Sequence, residues 1–526
     1  MDKIELYDTT LRDGAQSEGI SFSVNDKLKI SEKLDSLGVH FIEGGWPGAN
    51  IKDMEFFRKA KALKLKNSRI AAFGSTRRAN SKARSDRVIK GLLAADTKYV
   101  TIFGKSWDLH VRDVFKVDLD ENLRMIEDSV RFLKSSGRTV FYDAEHFFDG
   151  YIANKDYALK TLIAARDSGA ERIILCDTNG GTITSQVFKI IEDVRSLIHT
   201  PLGIHAHNDC EMAVANSVAA VQAGCIQVHG TIYGYGERCG NANLVSIIAN
   251  LKLKLGIDCV SDMELRSLTE IARFVAEISN LKMNDNEPFV GNSAFAHKAG
   301  VHVNAILKNS KTYEHVDPHA VGNHRRLLIS ELSGRSTILK KAGDMDIDLS
   351  KDSGKAKKIL SVLQGLESKG YHFEAAEASL ELLIKRQMKK FKDFFSLEDF
   401  RVIIEKKRTG IMATEATIKL KVGKEVEHTA SLGDGPVNAL DSALRKALKK
   451  FYPGINEMHL TDYKVRVLDE KEGTAARVRV LIQSQDSSDS WWTIGVSENI
   501  VEASWQALVD SVEYKLLKDS RNKHKK

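Results

Sequence analysis

The chain has 526 residues, more than one hydrophobic core serves, so two or three domains are expected. Hydrophobic residues make up 42% and charged residues 28%, which is the composition of a globular protein and excludes a disordered or fibrous one. The formal charge of +7 is the small difference between 78 cationic and 71 anionic residues spread along the chain, so nucleic acid is not an expected partner, and the basic end "KLLKDSRNKHKK" reads as a solvated tail.

In the first half, short apolar runs alternate with longer amphipathic ones. "IELY" (4–7) precedes a helical pattern near 25–37, and "VHFIE" (39–43) precedes one near 52–65. "RIAAF" (69–73), "YVTIF" (99–103), "TVFYD" (139–143), "RIILC" (172–176), "LGIHAH" (202–207) and "IQVHG" (226–230) continue the series, with clear helical patterns over 119–136, 156–168 and 210–223. The runs are apolar without alternation, as parallel strands covered on both faces are. Eight strand–helix units in about 250 residues predict an α/β fold, the (β/α)8 TIM barrel. An open doubly wound sheet is the alternative, disfavoured because no GxGxxG turn follows the first strand.

Residues 281–395 carry helical patterns and charged runs such as "KDSGKAKKILSVLQ" (351–364) and are expected to form helical linker subdomains. From 396 the pattern changes. Strand-like runs at 400–407, 413–421 and 424–431 lead to a helix in "GDGPVNALDSALRKAL" (433–448). Runs at 459–468, 474–483 and 490–496 lead to another in "SENIVEASWQALVDSVEY" (497–514). Pro436 and Ser497 are helix-start residues. A duplicated βββα unit is expected, giving a barrel domain at 1–280, linkers at 281–395 and a C-terminal α+β domain at 396–526.

Five scattered cysteines without a CxxC argue for a reducing, cytoplasmic setting. Strand-like sequence from Ile4 leaves no room for a signal peptide, and no apolar run approaches the roughly 20 residues of a membrane span, so no membrane partner is expected.

Barrel active sites lie at the C-terminal ends of the strands. Those ends here read "DTTLRDGAQ" (8–16), "EGGWPG" (43–48), "DAEHFFDG" (143–150), "CDTNGG" (176–181), "HAHND" (205–209) and "GTIYGYGERCGN" (230–241). His205 and His207 stand two apart, so on a strand they share a face. Two neutral imidazoles on one face can bind a divalent metal. An isolated HxH is more often two hydrogen-bonded core histidines, and single acidic strand ends are often helix caps. Polar groups converging on one rim favour the metal.

"DTTLRDGAQ", "HAHNDCEMAVANS" and "GTIYGYGERCGNANL" resemble signatures of the metal-dependent acyl-CoA:2-oxo-acid condensing enzymes, the family of 2-isopropylmalate, homocitrate and citramalate synthases. The likeness spans almost the whole chain. "IEGGWPGAN", "FGSTRR", "TIFGKSWDLHV" and "FYDAEHFFDG" are most similar to the citramalate-forming branch. The resemblance implies a transferase that condenses acetyl-CoA with pyruvate to give (R)-citramalate and CoA, in isoleucine biosynthesis. It implies a divalent metal held by Asp13, His205, His207 and Asn241, a mixed N/O set that suits zinc, manganese or cobalt better than magnesium. It further implies Arg12 as the catalytic arginine, Glu145 as an acidic partner, His302 as the base or base relay, and Tyr313 over the site. A structural ion pair with a strand-end carboxylate is the lesser alternative for Arg12, whereas without the likeness His297, His302 and Tyr313 read as packed linker residues.

The resemblance also implies that Thr178 binds the substrate carboxylate, where the residue alone reads equally well as a capping threonine. The bulky strand-end neighbours Phe73, Phe103 and Tyr142 are expected to form a small apolar pocket for a methyl group. Arg77, Arg78 and Lys105 leave open a second carboxylate, as a homocitrate synthase needs. The C-terminal domain resembles the family's allosteric domain. Isoleucine is its expected effector and a homodimer the expected assembly, with His302 and Tyr313 acting within or across subunits. Cys210–Glu211 departs from the family's usual small residue after HND, and Cys239 is expected to pack. Another 2-oxo acid, a barrel-only acyl-CoA lyase, or a catalytically dead barrel serving an amino-acid sensor are the alternatives.

Overall fold

The computed structural model describes residues 4–281, 283–328, 343, 353–373, 376–389, 391–406, 408, 410, 412–468 and 476–524. Residues 329–342 and 344–352 of the expected linker lie outside them. Contacts divide the chain into two units, residues 1–295 with 315–325, and residues 296–314 with 326–526.

The first unit is built on eight parallel strands in sequence order that close on themselves. They are β1 Glu5–Asp8, β2 Phe41–Glu43, β3 Arg69–Ser75, β4 Tyr99–Lys105, β5 Thr139–Glu145, β6 Arg172–Asp177, β7 Leu202–Ala206 and β8 Gln227–Gly230. Closure is set by β1 against β8, where Tyr7 lies opposite His229. The eight apolar runs of the sequence are these strands.

Side-chain alternation divides the barrel into two cores. On β4 the even positions Val100 and Ile102 pack outward into the large core shared with the helices. The odd positions Tyr99 and Thr101 point inward. The interior is filled by Tyr7, Phe41, Ala71 and Phe141, with Tyr99 against them. Phe41 and Phe141 meet edge to face at 5.1 Å, and Tyr7 stacks on His229 at 4.0 Å. This aromatic layer is a floor beneath the strand ends. The Tyr7 hydroxyl is satisfied inside it, donating to Glu43 Oε1 (2.9 Å) and pairing with Thr101 Oγ1 (2.6 Å).

Local signals start the helices. Ser23 and Asp26 form a reciprocal capping box on Val24–Ser36, and the Asn50 and Asp86 side chains cap Ile51–Ala60 and Arg87–Ala94. The predicted helix at 210–223 is shorter, Ala213–Gln222, because Glu211 takes a left-handed conformation (φ 59°) just before it.

The second unit carries the duplication. Strands Ser396–Lys406, Met412–Val422 and Glu425–Gly433 form an antiparallel sheet against helix Pro436–Leu448, and His459–Val467, Val478–Gln485 and Ser490–Ser497 form one against Ile500–His524. On the middle strand, Ala416, Ile418 and Leu420 are buried at every second position and face Ala439, Leu440, Ala443 and Leu444 of the helix. Val480 and Ile482 repeat this against Ala503, Ala507 and Leu508. Among the described residues no helix is long and apolar enough to cross a membrane.

Candidate active site

The site is assembled where the barrel strands end. After β1 the chain turns on Asp8, whose carboxylate accepts from Thr10 N (2.9 Å) and Thr10 Oγ1 (2.8 Å), and Asp13 N returns to Thr9 O (2.9 Å). Asp8 is therefore a structural cap, and burial raises its pKa to about 7. The turn delivers Arg12 and Asp13 to the barrel mouth.

From β7, His205 and His207 project to the same place. Their Nε2 atoms are 3.4 Å apart, and His205 Nε2 is 3.3 Å from Asp13 Oδ2. All three side chains are buried and offer converging ligand atoms. The next segment is tied back by a bridge between His207 and Asn241 and by Asn208 N donating to Gly240 O (2.9 Å). Asn241 Nδ2 donates to Tyr235 O (3.1 Å), which leaves the buried Oδ1 without a hydrogen-bond partner among the described residues. An unpaired buried amide oxygen beside two facing imidazoles and a carboxylate fits a cation and is otherwise costly. The residues present thus fit a divalent metal.

The electrostatics agree. Burial alone would raise Asp13, but Arg12 at 3.3 Å and His205 outweigh it and hold its carboxyl well below the usual range. Burial, then the neighbouring His205, lowers His207 to about 4, so its imidazole is neutral and its lone pair available. Burial would lower His205 too, but Asp13 and Asp143 reverse that.

Arg12 is held on three sides. Its Nε is 2.5 Å from Glu43 Oε2, its guanidinium lies 3.3 Å from Asp13, and its Cζ sits 3.7 Å above the centre of the Phe73 ring. Thr178 Oγ1 accepts from His146 N (2.9 Å), so its own hydroxyl proton remains to be given away. Its carbonyl accepts from Arg238, which also grips Asp209 with two bonds. Gly180 lets these loops meet: at φ +62°, a Cβ there would fall 2.5 Å from Asp209 Oδ2.

Arg12, Asp13, Phe73, Phe103, Glu145, Thr178, His205 and His207 line one cavity of about 230 Å³, and Asn241 adjoins it through His207. Tyr142 does not join them. It is fully buried in the core between strands and helices, against Gly104 and Ile126. Strand alternation is the reason: if Glu145 faces inward so do Asp143 and Phe141, and Tyr142 must face out. His302 and Tyr313 belong to the second unit, where their rings stack at 4.1 Å. His297 there pairs with Glu314 (3.2 Å).

Three inward residues escaped the sequence reasoning. Asp143 lines the cavity with an oxygen unpaired among the described residues, and burial lifts it to about 7. Glu43, fully buried, anchors Arg12, and Trp46 walls the cavity. Period-two alternation carried back from Glu145 finds Asp143; nothing local marks the other two. Of the cations left open, Arg77 is engaged by Glu121 (2.9 Å) and Asp128 (2.8 Å), and Lys105 by Glu145.

Comparison with known proteins follows the same division. The HMGL-like family matches residues 3–275, the homocitrate synthase post-HMGL domain-like family residues 289–369, and the LeuA allosteric (dimerisation) domain residues 374–516. The (R)-citramalate synthase of Aquifex aeolicus is 55% identical over 520 residues, 98% of each chain. That of Geobacter sulfurreducens is 56% identical over 519 residues, again 98% of each. That of Synechocystis is 50% identical over 523 residues, 97% of this chain and 96% of its own.

Proposed function

The chain belongs to the (R)-citramalate synthases of the HMGL-like family, and from that premise we propose how its residues condense acetyl-CoA with pyruvate to give (R)-citramalate and CoA. It is a metal-dependent acyltransferase. The observation that supports the site assignment is the meeting of Asp13, His205 and His207, with Arg12 beside them, at the end of the barrel where such folds work.

Asp13, His205, His207 and Asn241 would hold the metal. When bound, such an ion supplies Lewis acidity to a 2-oxo acid. The protein's own groups do the rest. Thr178 donates its hydroxyl proton to the pyruvate carboxylate. Arg12, held by Phe73 and Glu43, faces the keto oxygen and stabilises the alkoxide as carbon–carbon bonding charges it. By the family likeness we assign the proton of the acetyl-CoA methyl to His302, on which Tyr313 is stacked, acting within or across subunits; at the barrel rim Glu145, held by Lys105, is the assigned acidic group. Hydrolysis of the citramalyl thioester releases CoA and makes the reaction effectively irreversible.

We assign isoleucine biosynthesis as the setting, isoleucine as the effector of the C-terminal domain, and a homodimer as the assembly. A reducing, cytoplasmic location fits the five unpaired cysteines. We assign a three-part division at 1–280, 281–395 and 396–526; the family matches at 3–275 and 289–369 support its first boundary, whereas the LeuA match begins at residue 374, inside the assigned linker.

The test is thiol release from acetyl-CoA by metal-loaded protein with pyruvate, 2-oxoisovalerate or 2-oxoglutarate, each with and without chelator. Chelator-sensitive turnover favouring pyruvate is expected. Preference for another acid overturns the substrate, and no turnover with any acid overturns the activity.

A further inference from the structure

Trp46 leaves β2 in the turn Gly44–Gly45–Trp46–Pro47–Gly48 and lines the cavity. Its indole meets two other wall residues edge to face, Phe73 at 5.7 Å and 87° and Phe103 at 5.7 Å and 83°. Those two rings stack on each other at 5.6 Å. The three rings form a continuous aromatic wall of the cavity that also holds Arg12, Asp13, His205 and His207.

The wall is rigid for reasons outside the cavity. Trp46 N donates to Asp53 Oδ2 (2.9 Å). Asp53 is paired at 2.6 Å with Lys27, which also donates to Gly44 O (3.0 Å). Lys27 and Asp53 are both buried, so moving the turn would strand a charge away from water. Gly45 sits at φ +143°, and a Cβ there would lie 2.4 Å from the Asp53 carboxyl carbon. On the far side the turn abuts the helix Arg87–Ala94, where a Cβ on Gly91 would come 2.7 Å from Gly48 Cα. The indole N–H has no hydrogen-bond partner among the described residues, so the ring is held there by shape and packing.

We propose that Trp46 is the residue that restricts the 2-oxo acid to a methyl side chain, as the fixed end wall against which any longer chain collides. The proposal rests on pyruvate binding at this rim. An apolar pocket separates substrates one methylene apart by roughly 10- to 200-fold, and only if its walls do not yield. The Lys27–Asp53 clamp gives the Trp46 turn the stiffness that strands β3 and β4 give Phe73 and Phe103.

The experiment compares kcat/KM for pyruvate, 2-oxobutyrate and 2-oxoisovalerate in the metal-loaded wild type, Trp46→Leu and Trp46→Phe. The 2-oxobutyrate-to-pyruvate ratio should rise about tenfold or more in Trp46→Leu and by less in Trp46→Phe, through KM for the 2-oxo acid, with KM for acetyl-CoA unchanged. Lys27→Met, which frees the turn and leaves all three rings, should move the ratio the same way. Thermal melting identifies a variant that fails to fold, and the remaining ones then decide. A pyruvate-preferring wild type with unaltered ratios in every folded variant overturns the role of Trp46 alone. A wild type that prefers another acid overturns the substrate assignment beneath it.

Discussion

Arg12 lies over Phe73, its guanidinium carbon 3.7 Å from the ring centre, and its Nε donates to Glu43. The guanidinium is thereby held in place before any substrate arrives. Arg12→Lys keeps the charge but has no plane to stack and no fork to share between Glu43 and an oxyanion. Its kcat should fall by roughly 10²- to 10³-fold with little change in KM for pyruvate. Steady-state kinetics at matched metal content checks this, and an unchanged kcat would remove Arg12 from the chemistry.

His207 tests the metal separately from turnover. Its imidazole is held neutral at the site, with a pKa near 4, and shares the ligand cluster with Asp13 and His205. His207→Ala should leave dialysed protein with well under one bound divalent ion per chain, measured by elemental analysis, where the wild type retains about one. Equal retention in both proteins would count against His207 as a ligand.

Thr178 has its oxygen occupied by the His146 N–H and its proton to spare. Thr178→Val removes the donor and keeps the shape. A lost hydrogen bond to a carboxylate is worth about 1.5–3 kcal/mol, so KM for pyruvate should rise roughly tenfold or more while KM for acetyl-CoA stays put. A rise in the acetyl-CoA KM instead would place Thr178 on the other substrate.

In the second unit, Glu513 is fully buried, accepts from Phe394 N (3.0 Å), and is pushed by burial up to about 8. A carboxyl whose pKa rises on folding holds its proton more tightly when folded. The stability it confers is complete below its unfolded pKa and is lost as pH climbs to about 8. The unit's melting temperature should therefore drop between pH 5 and pH 9, by the equivalent of up to about 4 kcal/mol. Glu513→Gln, which cannot ionise but keeps a carbonyl acceptor, should flatten that drop. Parallel melting curves for the two proteins across this range would expose a Glu513 with no such effect.

The sequence shows the barrel clearly because each strand is covered on both faces and reads as an unbroken apolar run. The duplicated module is legible through the opposite signal: Ala416, Ile418 and Leu420 are buried at alternate positions, as a sheet with one covered face requires. The site is legible where it depends on rare residue types, as at His205 and His207. It fades where it depends on which side of a strand a common residue faces. Tyr142 is the instructive case. Its neighbours on both sides point into the barrel, so it cannot, however close to the chemistry it stands in the chain. Glu43 and Trp46 were harder still, since their importance comes from partners far away in sequence: Arg12 for one, Phe73 and Phe103 for the other.

The aromatic floor of Tyr7, Phe41 and Phe141 closes the barrel from below, so the catalytic chamber is a blind well with a single mouth. Traffic through one mouth imposes a queue. The small acid that rests deepest must enter before the bulky thioester covers it, and CoA must clear the opening before the new diacid can follow. Initial-rate patterns for a compulsory order, with the 2-oxo acid first on and its product last off, are the kinetic imprint of three rings packed at the bottom of the well.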